Sequence, residues 1–133
     1  MLEISSQAID IGIVARDANA MLSFYRNLLG LEQESIVEMP GGGVMNRLRA
    51  GDSIIKIIVF NPRPPGNAVP GGIRTASGLR YLTIHISNLD AATHTIEAAG
   101  HTVVVGCRTL RQGVAISIVQ DPDGNWLELV EYS

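Results

Sequence analysis

The chain has 133 residues, 46% of them hydrophobic and 17% charged, with a formal net charge of −3. That is one domain's length and enough apolar content for a core, which excludes a disordered chain. Ten Lys and Arg against 13 Asp and Glu, spread along the sequence, exclude a basic nucleic-acid face; no apolar run is long enough to span a membrane as a helix. The single Cys107 allows neither an internal disulfide nor a cysteine zinc cluster, and the first residues lack the basic region of a secretory signal, so a cytoplasmic location is expected.

In chain order, Asp10–Asp17 alternates as a strand and ends on Asp17, a preferred helix N-cap. A helix is predicted from Ala18 to Leu29, stopped by Gly30. Strands follow at Glu34–Met39, Val44–Ala50 and Ser53–Phe60, separated by Pro40-Gly41-Gly42-Gly43 and Gly51-Asp52. Asn61–Gly78 is an 18-residue connector with four prolines and four glycines, which reads as a linker or as a lid. The plan then repeats. A strand from Tyr81 leads to Asn88 as cap, and a helix from Leu89 to Ala99 stops at Gly100. Strands Thr102–Gly106, Val114–Gln120 and Trp126–Tyr132 follow, the last two joined by a turn at Asp121-Pro122-Asp123-Gly124-Asn125. Tyr81 lies 71 residues after Asp10, Gly100 lies 70 after Gly30, and Glu128 lies 72 after Lys56. A register held through strand, cap and helix stop marks a duplication. The fold class is α+β: two βαβββ modules, at about 8–60 and 79–132, joined by 61–78.

Strand parity separates the faces. Ile9, Ile11 and Ile13, then Ile55, Ile57 and Val59, then Leu82, Ile84 and Ile86, and finally Leu127 and Leu129 belong under the helices. Asp10 and Gly12, Lys56, Tyr81 with Thr83 and His85, and Trp126 with Glu128 and Val130 point to the other face. All four strands thus carry a polar or ionisable residue on the face that the helices leave uncovered.

Three stretches carry a resemblance: Asp17 with Phe24-Tyr25-Arg26-Asn27-Leu28-Leu29-Gly30-Leu31, Gly78-Leu79-Arg80-Tyr81, and Asp121-Pro122-Asp123-Gly124-Asn125-Trp126-Leu127-Glu128-Leu129. Over about residues 8 to 132 the chain resembles the vicinal oxygen chelate superfamily. That superfamily includes glyoxalase I, bleomycin-resistance, methylmalonyl-CoA epimerase and extradiol dioxygenase proteins. The resemblance implies paired βαβββ modules whose mixed sheets curl into a cleft, and a homodimer. In metal-dependent members the first and last strands of each module ligate a divalent ion. Here those positions fall on Asp10, Lys56, Tyr81 and Glu128, where His or Gln, Glu, His and Glu are usual. Only Glu128 is retained. Lys56 is an ammonium without an acceptor, and a cation 4 Å from a metal charge is repelled by about 4 kcal/mol per unit charge at an effective dielectric near 20. No cofactor is therefore expected; a divalent metal, if held, would fall to Glu128 and Asp10. His85 lies about 13 Å along the strand from Tyr81, too far to complete the same coordination sphere.

With these residues the resemblance implies acid–base chemistry beside a carbonyl, of isomerase or lyase type. Glu128 is the candidate base, Tyr81 a donor to a substrate oxygen, and Lys56, with Asp10, a fixed charge for an enolate. His85, Trp126, Thr83 and Phe60 are candidate substrate contacts. Ring-cleaving dioxygenase chemistry fits this set poorly. The alternative is a binding protein of the bleomycin-resistance kind, in which Lys56 merely neutralises Asp10 and Glu128; a third reading is a metal-dependent enzyme. Phe24 and Tyr25 are assigned to the core; Arg63, Arg74 and Arg80 read as solvated loop residues, with contact to an acidic substrate, such as a carboxylate or a CoA phosphate, as the alternative. The expected partner is a small molecule.

Overall fold

Strands form where apolar and polar side chains alternate, and break where Gly, Pro, Asn or Asp can turn the chain. In the computed structural model, which describes all 133 residues, they build two α+β units, Met1–Gly66 and Asn67–Ser133. The connector is divided between them.

The first unit contains β1 (Ile11–Val14), α1 (Ala18–Leu22), a π-helical stretch (Ser23–Leu28), β2 (Gln33–Met39), β3 (Gly43–Ala50) and β4 (Ser53–Phe60). Its sheet has the order β1-β4-β3-β2. The β1–β4 pair is parallel, and the other two pairs are antiparallel. Asp17 caps α1, its side chain accepting the Ala20 N–H at 3.1 Å. The single helix expected over Ala18–Leu29 is instead a short α-helix that widens. The Leu29 N–H donates to the Phe24 carbonyl, a five-residue step, at 2.9 Å. This wider turn accompanies complete burial of the neighbours Phe24 and Tyr25, whose rings meet edge-on at 4.9 Å. β1 begins only after Asp10, so Ile9 is not under the helix but 74% exposed.

A polar thread ties helix to sheet. Arg26 Nη1 donates to Gln33 Oε1 (2.9 Å), Gln33 Nε2 to Asn46 Oδ1 (2.9 Å), and buried Asn46 donates to the Ile57 carbonyl (3.3 Å). Paired in this way, Asn46 can sit beside Leu48 and Ile57 without an unmet hydrogen bond.

The second unit contains β5 (Tyr81–His85), α2 (Leu89–Ala98), β6 (Val103–Arg111), β7 (Val114–Gln120) and β8 (Trp126–Tyr132). Its order, β5-β8-β7-β6, repeats the first, with β5 and β8 parallel. Both sheets are open and not strongly curled, unlike the curled sheets expected from the resemblance. β6 runs five residues beyond the expected Gly106, its register shifting at three places along β7. Asn88 holds the N-cap position of α2 without a side-chain bond; Glu131 of β8 accepts the Leu89 N–H instead, at 3.1 Å. At the other end Gly100 adopts φ 93°, so its N–H reaches the Glu97 carbonyl and that of His101 reaches Ile96. Beneath α2, Leu89, Ile96, Val119, Leu127 and Leu129 are buried. The Thr93 hydroxyl donates to the Leu89 carbonyl and receives the Ser117 hydroxyl, both at 2.8 Å.

Buried Asp121 closes the β7–β8 turn, its carboxylate accepting the Asp123 and Asn125 N–H groups and the Asn125 amide. No helix is long and apolar enough to cross a membrane.

Candidate functional site

The face away from the helices carries Lys56 in the first sheet and Glu128 in the second, and pairing register decides their neighbours. In the first unit Gly12 lies beside Lys56, and Lys56 lies directly opposite Arg47 of β3. Lys56 Nζ is 3.6 Å from Asp10 Oδ2, an ion pair too long for a hydrogen bond. Arg47 Nε donates to Glu34 Oε1 at 3.3 Å. Glu34 occupies the register irregularity between Gln33 and Ser35, which brings it beside Arg47. Phe60, proposed as a substrate contact, is opposite Gly43; a Cβ there would lie 2.8 Å from the Phe60 ring, so the ring covers its own strand neighbour.

In the second unit the rows are Tyr81 with Trp126, Thr83 with Glu128, and His85 with Val130. The Thr83 hydroxyl donates to Glu128 Oε1 at 2.9 Å. Tyr81 is 52% exposed. The His85 ring lies 5.0 Å from that of Tyr132. Parity places Val130 on this face, and Val130 and its row neighbour Ile116 are buried there, while His85 and Tyr132 stay exposed.

Trp126 is half-buried. The second half of the connector folds back within its own unit, where Gly72–Arg74 forms a single 3₁₀ turn. A Cβ on Gly72 would fall 2.3 Å from the Trp126 ring, and Gly72 sits at φ 66°. Only glycine meets both demands. Trp126 Nε1 is buried there without a hydrogen-bond partner. Arg80 holds the turn, donating to the carbonyls of Gly72 (2.6 Å) and Val69 (2.7 Å) and to the Thr75 hydroxyl (3.0 Å). Arg63 likewise donates to the Arg16 carbonyl at 3.2 Å. Arg80 is thus bound to backbone and half-buried, whereas Arg63, with this one bond, stays exposed to solvent as expected.

The structure therefore joins Lys56 to Asp10 and Glu128 to Thr83. Sequence parity did not single out Arg47 or Glu34. The signal for Arg47 was present: the two-residue turn Gly51-Asp52 fixes the β3–β4 register, and counting back from it sets Arg47 opposite Lys56. For Gly72 and Arg80 the local sequence carries no comparable signal.

These donors do not suit a divalent metal. No group of three or more His, Cys, Asp or Glu side chains is clustered to hold one. The Asp10 carboxylate already faces the Lys56 ammonium, which cannot ligate.

Comparison with solved structures finds the same fold repeatedly. A glyoxalase family protein from Bacillus cereus superposes with TM-score 0.82 at 16% identity, over 99% of this chain and 98% of that one. The protein SMU.1112c gives TM-score 0.77 at 26% identity, over 96% of this chain and 100% of the other. A glyoxalase family protein from Enterococcus faecalis gives 0.67 at 24% identity, over 97% of each chain. Comparison with curated proteins finds no match. The family model for glyoxalases, bleomycin resistance proteins and dioxygenases matches residues 8–129. With the duplicated βαβββ plan running through that whole stretch, the chain belongs to the Glyoxalase/Bleomycin resistance protein/Dioxygenase superfamily.

Proposed function

We propose that this superfamily member is a small-molecule enzyme that moves a proton beside a carbonyl, as in an isomerase or lyase step, without a metal. The observation that carries the reading is the state of Glu128. One oxygen accepts the Thr83 hydroxyl, which holds the carboxylate in place and leaves the second oxygen to take a proton. Tyr81 lies one row away on the same face, about 7 Å along the strand. Its exposed hydroxyl can donate to the carbonyl oxygen as negative charge develops there. In the first unit, Lys56 with Asp10 supplies a fixed positive charge for an anionic ligand.

The test is incubation of metal-stripped protein with candidate carbonyl metabolites in D₂O. Deuterium incorporated next to the carbonyl supports the reading. Glu128→Gln is expected to lower exchange about 10²–10⁴-fold. A tight ligand recovered without deuterium would overturn it and favour a binding protein, in which the Lys56–Asp10 pair is only structural. Loss of exchange on metal stripping, with recovery on adding Ni²⁺ or Zn²⁺, would also overturn it.

A further inference from the structure

We propose that Arg47 and Lys56 form a carboxylate subsite on the uncovered face of the first sheet, and that its ligand is a 2-oxo acid. The carboxylate meets the Arg47 guanidinium, and the neighbouring oxygen meets Lys56 Nζ. That the ligand is a carbonyl compound rests on the reading proposed above; the subsite itself rests on the first unit alone.

The argument begins with register. Arg47 and Lys56 are directly opposed on adjacent antiparallel strands, so their Cβ atoms stand about 5 Å apart on one face. Like charges in that relation destabilise a sheet. Both side chains are also largely withdrawn from water, at 25% and 26% exposure. Two cations brought together and partly desolvated need acceptors, and this chain supplies few. Glu34 engages Arg47 only through Nε, leaving the paired Nη1 and Nη2 groups without a protein acceptor. Asp10 balances the charge of Lys56 at 3.6 Å but accepts no hydrogen bond from it. A guanidinium end with parallel N–H groups matches the two oxygens of a carboxylate. The Lys56 ammonium, borne by the directly opposed residue on the same face, is the donor for one further oxygen on the same small molecule. Glu34 and Asp10 cancel the formal charge, so binding would rest on directed hydrogen bonds, which favours a ligand of matching shape over any anion.

Arg49 provides the internal control. It lies on the same face of β3, one row nearer the Gly51-Asp52 turn, opposite Ile54 and exposed. The experiment is an NMR titration of the ¹⁵N-labelled full chain with pyruvate, acetate and chloride at constant ionic strength. Saturable shifts centred on the Arg47 and Lys56 amides are expected, with pyruvate at least fivefold tighter than acetate. Arg47→Gln should weaken pyruvate tenfold or more, and Arg49→Gln less than twofold, with both variants keeping the parent spectrum elsewhere. Shifts that grow linearly and match those of chloride would overturn the subsite, as would equal losses in the two variants. Equal affinity for pyruvate and acetate would overturn the 2-oxo assignment. Deuterium exchange reads the proton-transfer proposal and this titration reads the subsite, so failure of the one and failure of the other are separable.

Discussion

The two units share strand order, one parallel pair each and a helix stop at glycine, yet they solve the same local problems differently. The helix of the first is capped from within by Asp17 and then widens into a π-helical stretch. That of the second stays α-helical and borrows its cap from Glu131, on a strand 42 residues away. The uncovered faces diverge further. The first carries opposed cations with carboxylates beside them, whereas the second carries a carboxylate held by a neutral hydroxyl. Duplication therefore keeps the backbone hydrogen bonds that a sheet cannot forgo, while helix caps and uncovered faces are free to change.

The sharpest way to break the comparison is in the cores. Phe24→Ala removes a fully buried ring from the π-helical turn and is expected to cost about 3–5 kcal/mol in a denaturant melt. A much smaller loss would mean that the widened turn can collapse around the gap. Next is the turn that only the second unit has. Gly72→Val sets a branched side chain into the Trp126 ring at a positive φ, and about 3 kcal/mol should be lost. Gly66→Val, with open space around it, should change little. The caps come third. Asp17→Ala is expected to cost about 1 kcal/mol, and Glu131→Ala about the same. Asn88→Ala should lie within a few tenths of zero, because its side chain makes no capping bond. Equal losses at Asp17 and Asn88 in thermal melts would contradict the difference in capping. The smallest effect belongs to Asp10→Asn, about 0.5 kcal/mol or less, since Asp10 is well exposed and its ion pair is long.

Much of this architecture could be read before folding, and the exceptions share a cause. β4, β7 and β8 begin and end at the residues expected, because Gly51-Asp52, Gly113 and Asp121–Asn125 allow the chain little choice. The π-helical stretch was not legible: its apolar spacing also suits an α-helix, and the choice between them depends on packing around Phe24 and Tyr25. β6 outran its expected end because β7 supplies a partner for residues whose own pattern is broken by Gly106. At the site, parity assigns a face to each strand side chain but does not say what covers it. Val130 faces the uncovered side and is nevertheless buried, and Trp126 is half-buried, with Gly72 against its ring. Arg80 reads as a loop charge because its acceptors are main-chain carbonyls of the turn, which leave no mark in the side-chain pattern.

The packing of Gly72 on Trp126 has one more consequence. Trp126 is the only tryptophan in the chain, and it lies wholly within the second unit, under a turn held by Arg80. Its emission is a built-in optical reporter placed in that unit. Far-ultraviolet circular dichroism, by contrast, sums over both. Melting followed by the two signals together would reveal whether the duplicated halves lose their structure in one cooperative step or in two.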